Sequence, residues 1–283
     1  MALINTIDEF RKHVGLNGSM SDAYELLLPD LLLQEDEQIR PLLGDDFYQE
    51  FSEVAVMAVP LSDKQSQLLM LTQSALANLT MVSYLDLGQV QISGAGVHII
   101  SDTTQKTAFQ WQINDLKINF RRKGYNGLEK VLAFLEKNAA EADFATWAAS
   151  DAAKRSREYF INSAGDFSSD YNISNARLTF LALQSLIKKT EVFALEPVLS
   201  TTFFDELKEQ LATDTLTTEN QKLVASYIRP ALAHLVMGQA TGELGFSLNG
   251  SSLELNVFRQ DDSNSKESDP GLTQLLDMKG HQA

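Results

Sequence analysis

The sequence predicts a mainly α fold: two tandem duplicated helical domains, each ending in a β-hairpin, joined by an inserted helical arm. Three observations predict it. First, a proline-led stretch occurs twice. Pro41 leads into Leu42-Leu43-Gly44-Asp45-Asp46-Phe47-Tyr48-Gln49-Glu50-Phe51, and Pro197 into Val198-Leu199-Ser200-Thr201-Thr202-Phe203-Phe204-Asp205-Glu206-Leu207, an offset of 156 (197 − 41). Second, the flanks match in the same order. Leu3-Ile4-Asn5-Thr6 with Phe10 answers Phe160-Ile161-Asn162-Ser163 with Phe167 at an offset of 157, and Ala75 to Met81 answers Ala231 to Met237 at 156. Third, each copy closes on alternating residues around a turn, Val90 to Ile99 and Leu244 to Val257. Ordered matches at a nearly fixed offset are the mark of internal duplication.

The boundaries follow from this: a first copy at 1–100, an inserted arm at 101–159, a second copy at 160–257 and a disordered acidic and polar tail at 258–283. In the first copy, Thr6 with Glu9 three residues on reads as a capping box for a helix to about Val14. A Gly/Asn/Ser turn over Gly15 to Ser19 follows, then a helix over 21–40 whose apolar side carries Ala23, Leu26, Leu27, Leu31 and Ile39. Pro29 is placed to kink it and Pro41 to end or bend it. Asp45 and Asp46 cap a helix over 45–57. A helix from Ser62 to Leu85 is apolar on more than one face and reads as the central core helix. Gly94-Ala95-Gly96 between alternating residues predicts the first hairpin, and Asn249-Gly250 the second, because Asn and Gly accept positive φ.

The arm is expected as a helix over 103–122 with Phe109, Trp111, Leu116 and Phe120, an interruption at Gly124 to Gly127, a helix over 128–138 and another from Trp147 to Tyr159. The second copy repeats the plan with an entry at 160–171 and helices over 174–195, 201–212 and 217–240. Beyond Phe258 the chain turns polar, and Leu272, Leu275 and Leu276 suit either a docked or a frayed helix.

The chain has 283 residues and a net charge of -15. Lys+Arg against Asp+Glu is 4 to 14 over 1–100, 10 to 8 over 101–159, 6 to 11 over 160–257 and 3 to 5 over 258–283. The copies are acidic and the arm is not. Such a body gains nothing from DNA phosphates. It suits plain solubility, or a surface near DNA that must not hold it. No apolar run of membrane-spanning length and no signal peptide is read. Cysteine is absent, which removes disulfides, thiol nucleophiles and thiolate metal sites.

Candidate chemistry is sparse. His13, His98, His234 and His281 stand at no metal-ligand spacing, and His234 aligns with Asn78. Asp45-Asp46 align with Thr201-Thr202, and what Asp and Thr share is helix capping. No catalytic residue, metal site or cofactor is therefore expected. The basic cluster Lys117, Arg121, Arg122 and Lys123, with Tyr125, is the candidate interaction site. It suits a solvated helix end, an acidic copy of another subunit, or a nucleic acid.

Ile39-Arg40-Pro41-Leu42-Leu43-Gly44, Gln91 to His98, Thr107 to Gln112, Arg122-Lys123-Gly124-Tyr125-Asn126 and Ile228-Arg229-Pro230-Ala231-Leu232-Ala233-His234 resemble a family found in Bacteroidetes genomes and their tailed phages, often within prophages. The order of elements in each half is similar to the head–tail connector (head-completion or adaptor) proteins of tailed phages. The resemblance implies a structural virion protein, not an enzyme, located in the neck between capsid and tail and assembled in the bacterial cytoplasm. Its partners would be a portal protein, tail or further connector proteins, and copies of itself in a ring of about twelve matched to the portal. DNA would pass without tight binding, and no membrane is involved. A host-encoded interaction module and a small-molecule enzyme of unrecognised helical fold are the alternatives.

Overall fold

The structure is a computed structural model. It describes residues 2–15, 23–56, 61–87, 108–154 and 158–243, with short extended stretches at 90–93, 96–99, 246–249 and 252–255. The expected tail at 258–283, including Leu272, Leu275, Leu276 and His281, lies outside the described residues, as do Gly94, Ala95, Gly250 and most of the turn after Gly15. The chain forms two compact units, Met1–Ala153 and Lys154–Ala283.

In the first unit an extended segment, Ala2 to Ile4, is buried ahead of α1, Ile7–His13. The Thr6 hydroxyl accepts from the Glu9 N–H, and the Glu9 carboxylate accepts from the Asn5 N–H at 2.8 Å. Then come α2 (Ala23–Gln34), a π-turn (Glu35–Ile39), α3 (Arg40–Leu43), α4 (Asp45–Val56) and α5 (Asp63–Leu87). α6 (Gln110–Asn138), a 3-10 turn (Ala142–Phe144) and α7 (Ala145–Ala149) complete the unit, and α8 (Asp151–Lys154) straddles the division. The core gathers Phe10, Leu27, Leu31, Ile39, Leu43, Phe47, Leu68 and Phe144, all essentially inaccessible. Each such side chain contributes about 1.5–3 kcal/mol by leaving water.

The second unit repeats this order. It holds α9 (Ala164–Asp170), α10 (Arg177–Thr190), a π-turn (Glu191–Leu195), α11 (Glu196–Leu199) and α12 (Thr201–Ala212). α13 (Thr218–Leu223), a third π-turn (Val224–Ile228) and α14 (Arg229–Glu243) follow. Its core runs from Phe160 and Ile161 through Phe167, Leu183, Ile187 and Leu207 to Leu232, Val236 and Ala240.

The three π-turns among the described residues share a cause legible in the chain. Each is followed at once by a residue and a proline: Arg40-Pro41, Glu196-Pro197, Arg229-Pro230. A proline has no N–H for the carbonyl four residues back, and its ring presses on that carbonyl. A π-turn reaches back five residues, as the Arg40 N–H does to the Glu35 carbonyl, and so widens the helix just before the ring. The third π-turn also explains a drift in the duplication. Ser62 and Thr217, which cap the equivalent helices, are 155 apart, whereas Leu76 and Leu232 are 156 apart. A π-turn holds one residue more than an α-turn, and α5 is α-helical throughout.

Four expectations need correction. The hairpin-closed domain does not stand: the architecture is mainly α, with no sheet in the part whose packing is described. Short antiparallel ladders, Val90–Ser93 with Gly96–Ile99 and Phe246–Asn249 with Ser252–Leu255, are isolated two-stranded pairs. A two-stranded pair alone is marginal in water, so alternation was weak ground for a closing element of each domain. Second, the helix expected over 21–40 is not α-helical throughout: α2 ends at Gln34 and the π-turn Glu35–Ile39 follows. Third, α6 is one helix through Gly124 to Gly127. A Cβ on Gly124 would lie 2.6 Å from the Leu79 side chain, and one on Gly127 2.8 Å from Ala75 Cβ. These glycines let α6 approach α5 closely. Their reason is tertiary, and it overrides the local cost of glycine in a helix. Fourth, the helix expected over 147–159 is instead the short α7 and α8.

α5 is also long and apolar enough, by length and composition, to cross a membrane, contrary to the reading of the sequence. Half of that window is buried inside the unit, where α5 packs on α1, α2 and α6. Those are the surroundings of a core helix.

Candidate functional site

Two buried carboxylates hold equivalent places. Glu35 and Glu191 each open a π-turn, 156 residues apart, and both are almost wholly buried. Glu35 accepts the Leu3 N–H at 3.0 and 3.2 Å, and Glu191 accepts the Phe160 N–H at 2.7 Å. The carbonyls of the same residues are held from the core helices. Gln73 Nε2 donates to the Leu3 carbonyl and Arg229 Nε to the Phe160 carbonyl, each at 2.8 Å. Among the described residues no strand lies beside the segment entering each unit, and side chains satisfy its buried backbone groups.

The copies differ in what balances the acid. In the first unit the Tyr48 hydroxyl donates to Glu35 at 2.7 Å. Burial pushes the Glu35 carboxyl up, against the Tyr48 and Leu3 hydrogen bonds. Burial, then the bond to Glu35, pushes the Tyr48 phenol up. In the second unit Phe204 replaces that tyrosine and Lys208 supplies the donor. Its ammonium bonds the Glu191 carboxylate and the Glu158 carbonyl and stands 4.4 Å from the Phe160 ring centroid, with Phe204 and Tyr159 beyond. Burial raises the Glu191 carboxyl and lowers the Lys208 ammonium, while each offsets the other by its charge. This box of rings and one acid could hold a foreign cation, but its own lysine fills it.

A second pair of equivalents trades places. Gln34 Nε2 donates to Ser83 Oγ, and Thr190 Oγ1 donates to Gln239 Oε1, both at 3.1 Å. The long side chain moves from the second helix to the core helix, so the span is bridged either way.

The residues weighed as candidate chemistry are structural or scattered. Asp45 accepts from Arg40 Nε at 2.6 Å across the Gly44 corner, and Thr201 donates to Glu196 across the Ser200 corner. His13 ends α1, its imidazole held down by burial. His234 meets the Tyr171 ring edge-on at 5.5 Å. The side chain of His98 lies outside the described residues. No group of three or more His, Cys, Asp or Glu that could hold a metal occurs among the described residues.

The structure puts Lys117, Arg121, Arg122, Lys123 and Tyr125 on α6, but not on one face. At about 3.6 residues per turn, Trp111, Asp115, Ile118, Arg122 and Tyr125 form one stripe. It lies opposite the stripe of Ile113, Gly124, Gly127 and Val131 that is buried. Lys117 and Arg121 flank it on one side and Lys123 on the other, 5.8 Å over the Phe120 ring. Trp111 is 62% and Ile118 61% exposed. The sequence placed Trp111 on this helix with Phe109, Leu116 and Phe120 and gave it no direction. The recurrence of Trp111, Ile118 and Tyr125 with Arg122 was the available signal.

Fold and site together define a duplicated α-helical protein whose two buried carboxylates hold its own backbone. The chain belongs to a family of unknown function (DUF6712), whose model matches residues 39–157 and 195–280. The two matched stretches begin at equivalent residues, Ile39 and Leu195. No curated protein matches the chain, and no solved structure does.

Proposed function

We propose that this chain is a structural virion protein of a tailed phage, a connector or adaptor subunit that assembles as a ring between portal and tail and lets DNA pass. The observation that carries the assembly part of this reading is the outer stripe of α6. It is aromatic and flanked by cations, on a chain whose two copies are acidic. Exposed aromatic and Arg side chains on one helix face are what interfaces are enriched in. An opposite charge elsewhere in the same chain favours contacts between unlike faces of neighbouring copies, the contact type that closes rings. The acidic copies would keep passing DNA from sticking. The link to portal and tail rests on the sequence resemblance to a family of tailed phages and prophages, since the hairpins that made each half similar to connector proteins do not stand. Sedimentation of the purified chain, alone and mixed with portal, tests it. A large assembly of one chain, or co-sedimentation with portal, is expected. A monomer that ignores portal at high concentration overturns it.

A further inference from the structure

The duplication gives each unit the same corner, and the two corners are treated differently. In the first unit the corner is Leu42 to Gly44, and it is covered. Trp147, only 5% exposed, lies over it and donates its indole N–H to the Leu42 carbonyl at 3.1 Å. Ser150 packs beside Gly44, where a Cβ would lie 3.1 Å from Ser150 Cβ. In the second unit the corner is Val198 to Ser200. Val198 is 82% exposed and Phe193, on the preceding π-turn, 74%. Their counterparts are Leu42, which is half-buried, and Glu37, so an apolar residue has replaced a charged one beside an open corner.

The chain has two tryptophans. One covers the first corner. The other, Trp111, faces outward on α6 with Ile118, Arg122 and Tyr125. Charge points the same way: α11 and α12, the helices that meet at the open corner, carry Glu196, Asp205, Glu206 and Glu209 against Lys208, while Arg121, Arg122 and Lys123 follow Trp111. We infer that the Val198 corner of one copy receives the α6 stripe of a second copy, with Trp111 seated against Val198 and Phe193 as Trp147 is seated on Leu42. The contact is heterologous, one face against a different face, and so repeats from copy to copy. Ser200 carries a side chain where Gly44 has none, so the incoming helix stands farther off than Ser150 does.

This inference rests on the reading of the chain as a self-assembling subunit and names the surfaces that join. Because cysteine is absent, single cysteines report contacts cleanly. Asp115→Cys lies one turn from Trp111 on the same stripe and leaves the indole in place, and Val198→Cys keeps a small apolar group at the corner. Both positions are exposed, and thermal melts establish that both variants fold. Mixed and joined with a short bismaleimide, the two variants are expected to give a dimer containing one chain of each, while either alone gives little. Trp111→Ala in the Asp115→Cys chain is expected to abolish that product and to weaken assembly of the otherwise unaltered chain about thirtyfold. If the wild type assembles but the mixed dimer does not form, or forms equally without Trp111, the inference falls and the assembly reading stands. A link formed within one chain in the double variant at high dilution also overturns it. If the wild type self-associates neither alone nor on portal, both fall.

Discussion

Glu35 and Glu191 perform the same task 156 residues apart: each buried carboxylate receives the backbone N–H of the segment that enters its unit. Only the balancing donor has changed, a phenol in one copy and an ammonium in the other. Removing either acid strands more than one partner. Glu191→Ala leaves Lys208 half-enclosed by rings without its counter-charge and the Phe160 N–H unpaired, and should cost about 3–5 kcal/mol. Lys208→Met with Glu191→Gln should cost less than Glu191→Ala alone, because no uncompensated charge remains. Urea denaturation of the three chains checks the order.

The pH dependence has a definite sign. Burial raises the folded Glu35 pKa above the ordinary value of 4.5. A carboxyl raised on folding binds its proton more tightly in the native state, so its contribution is full below the unfolded value and is lost as pH rises through the folded one. Glu35→Gln keeps an oxygen for the Leu3 N–H and does not titrate. The wild type should therefore gain stability relative to Glu35→Gln as pH falls through the raised pKa, and the gain should level off below 4.5. Denaturation midpoints of both chains over that range provide the measurement.

The close approach of α6 to α5 makes its two glycines specific. Gly127→Ala drives a methyl to 2.8 Å from Ala75 Cβ and 2.9 Å from its Cα, so backbone must shift, at a cost of about 1–3 kcal/mol. Gly165→Ala, in α9, meets nothing nearer than Ser163 Oγ at 3.8 Å and should stabilise by about 0.4–1 kcal/mol. Thermal melts that rank the two substitutions the other way would refute the tight packing.

The corners make a similar pair. Ser200 has φ 68° and ψ 148°, and Gly44 has φ 78° and ψ 148°. That region is close to a glycine preserve, and other residues are strained there by about 1–3 kcal/mol. Ser200→Gly should raise the melting temperature, and Gly44→Ala should lower it, through both strain and Ser150.

Much of this was legible. Pro41 with Pro197, and the matched flanks, reveal the duplication because equal local sequences meet equal packing demands. The helix over 201–212 needed nothing more than its apolar spacing. The glycines of α6 misled because Gly124 and Gly127 look like breakers until Leu79 and Ala75 are set against them. The two glutamates were hidden among charged or apolar neighbours, yet carrying the 156 offset back from Pro41 and Pro197 would have paired them as identical residues. The exchange of Gln34 and Ser83 for Thr190 and Gln239 was invisible, because neither position keeps its residue and only their contact in space shows compensation. The recurrence of Trp111 with Ile118, Arg122 and Tyr125 marks a stripe in the sequence, but which stripe of α6 meets α5 is a tertiary fact.

A doubled helical unit whose surfaces join copies of itself should build closed rings of repeating subunits. Electron micrographs of the purified full chain at high concentration, with and without portal, put this to the test. Rings are expected in at least one preparation, and single, unassociated particles in both would overturn it.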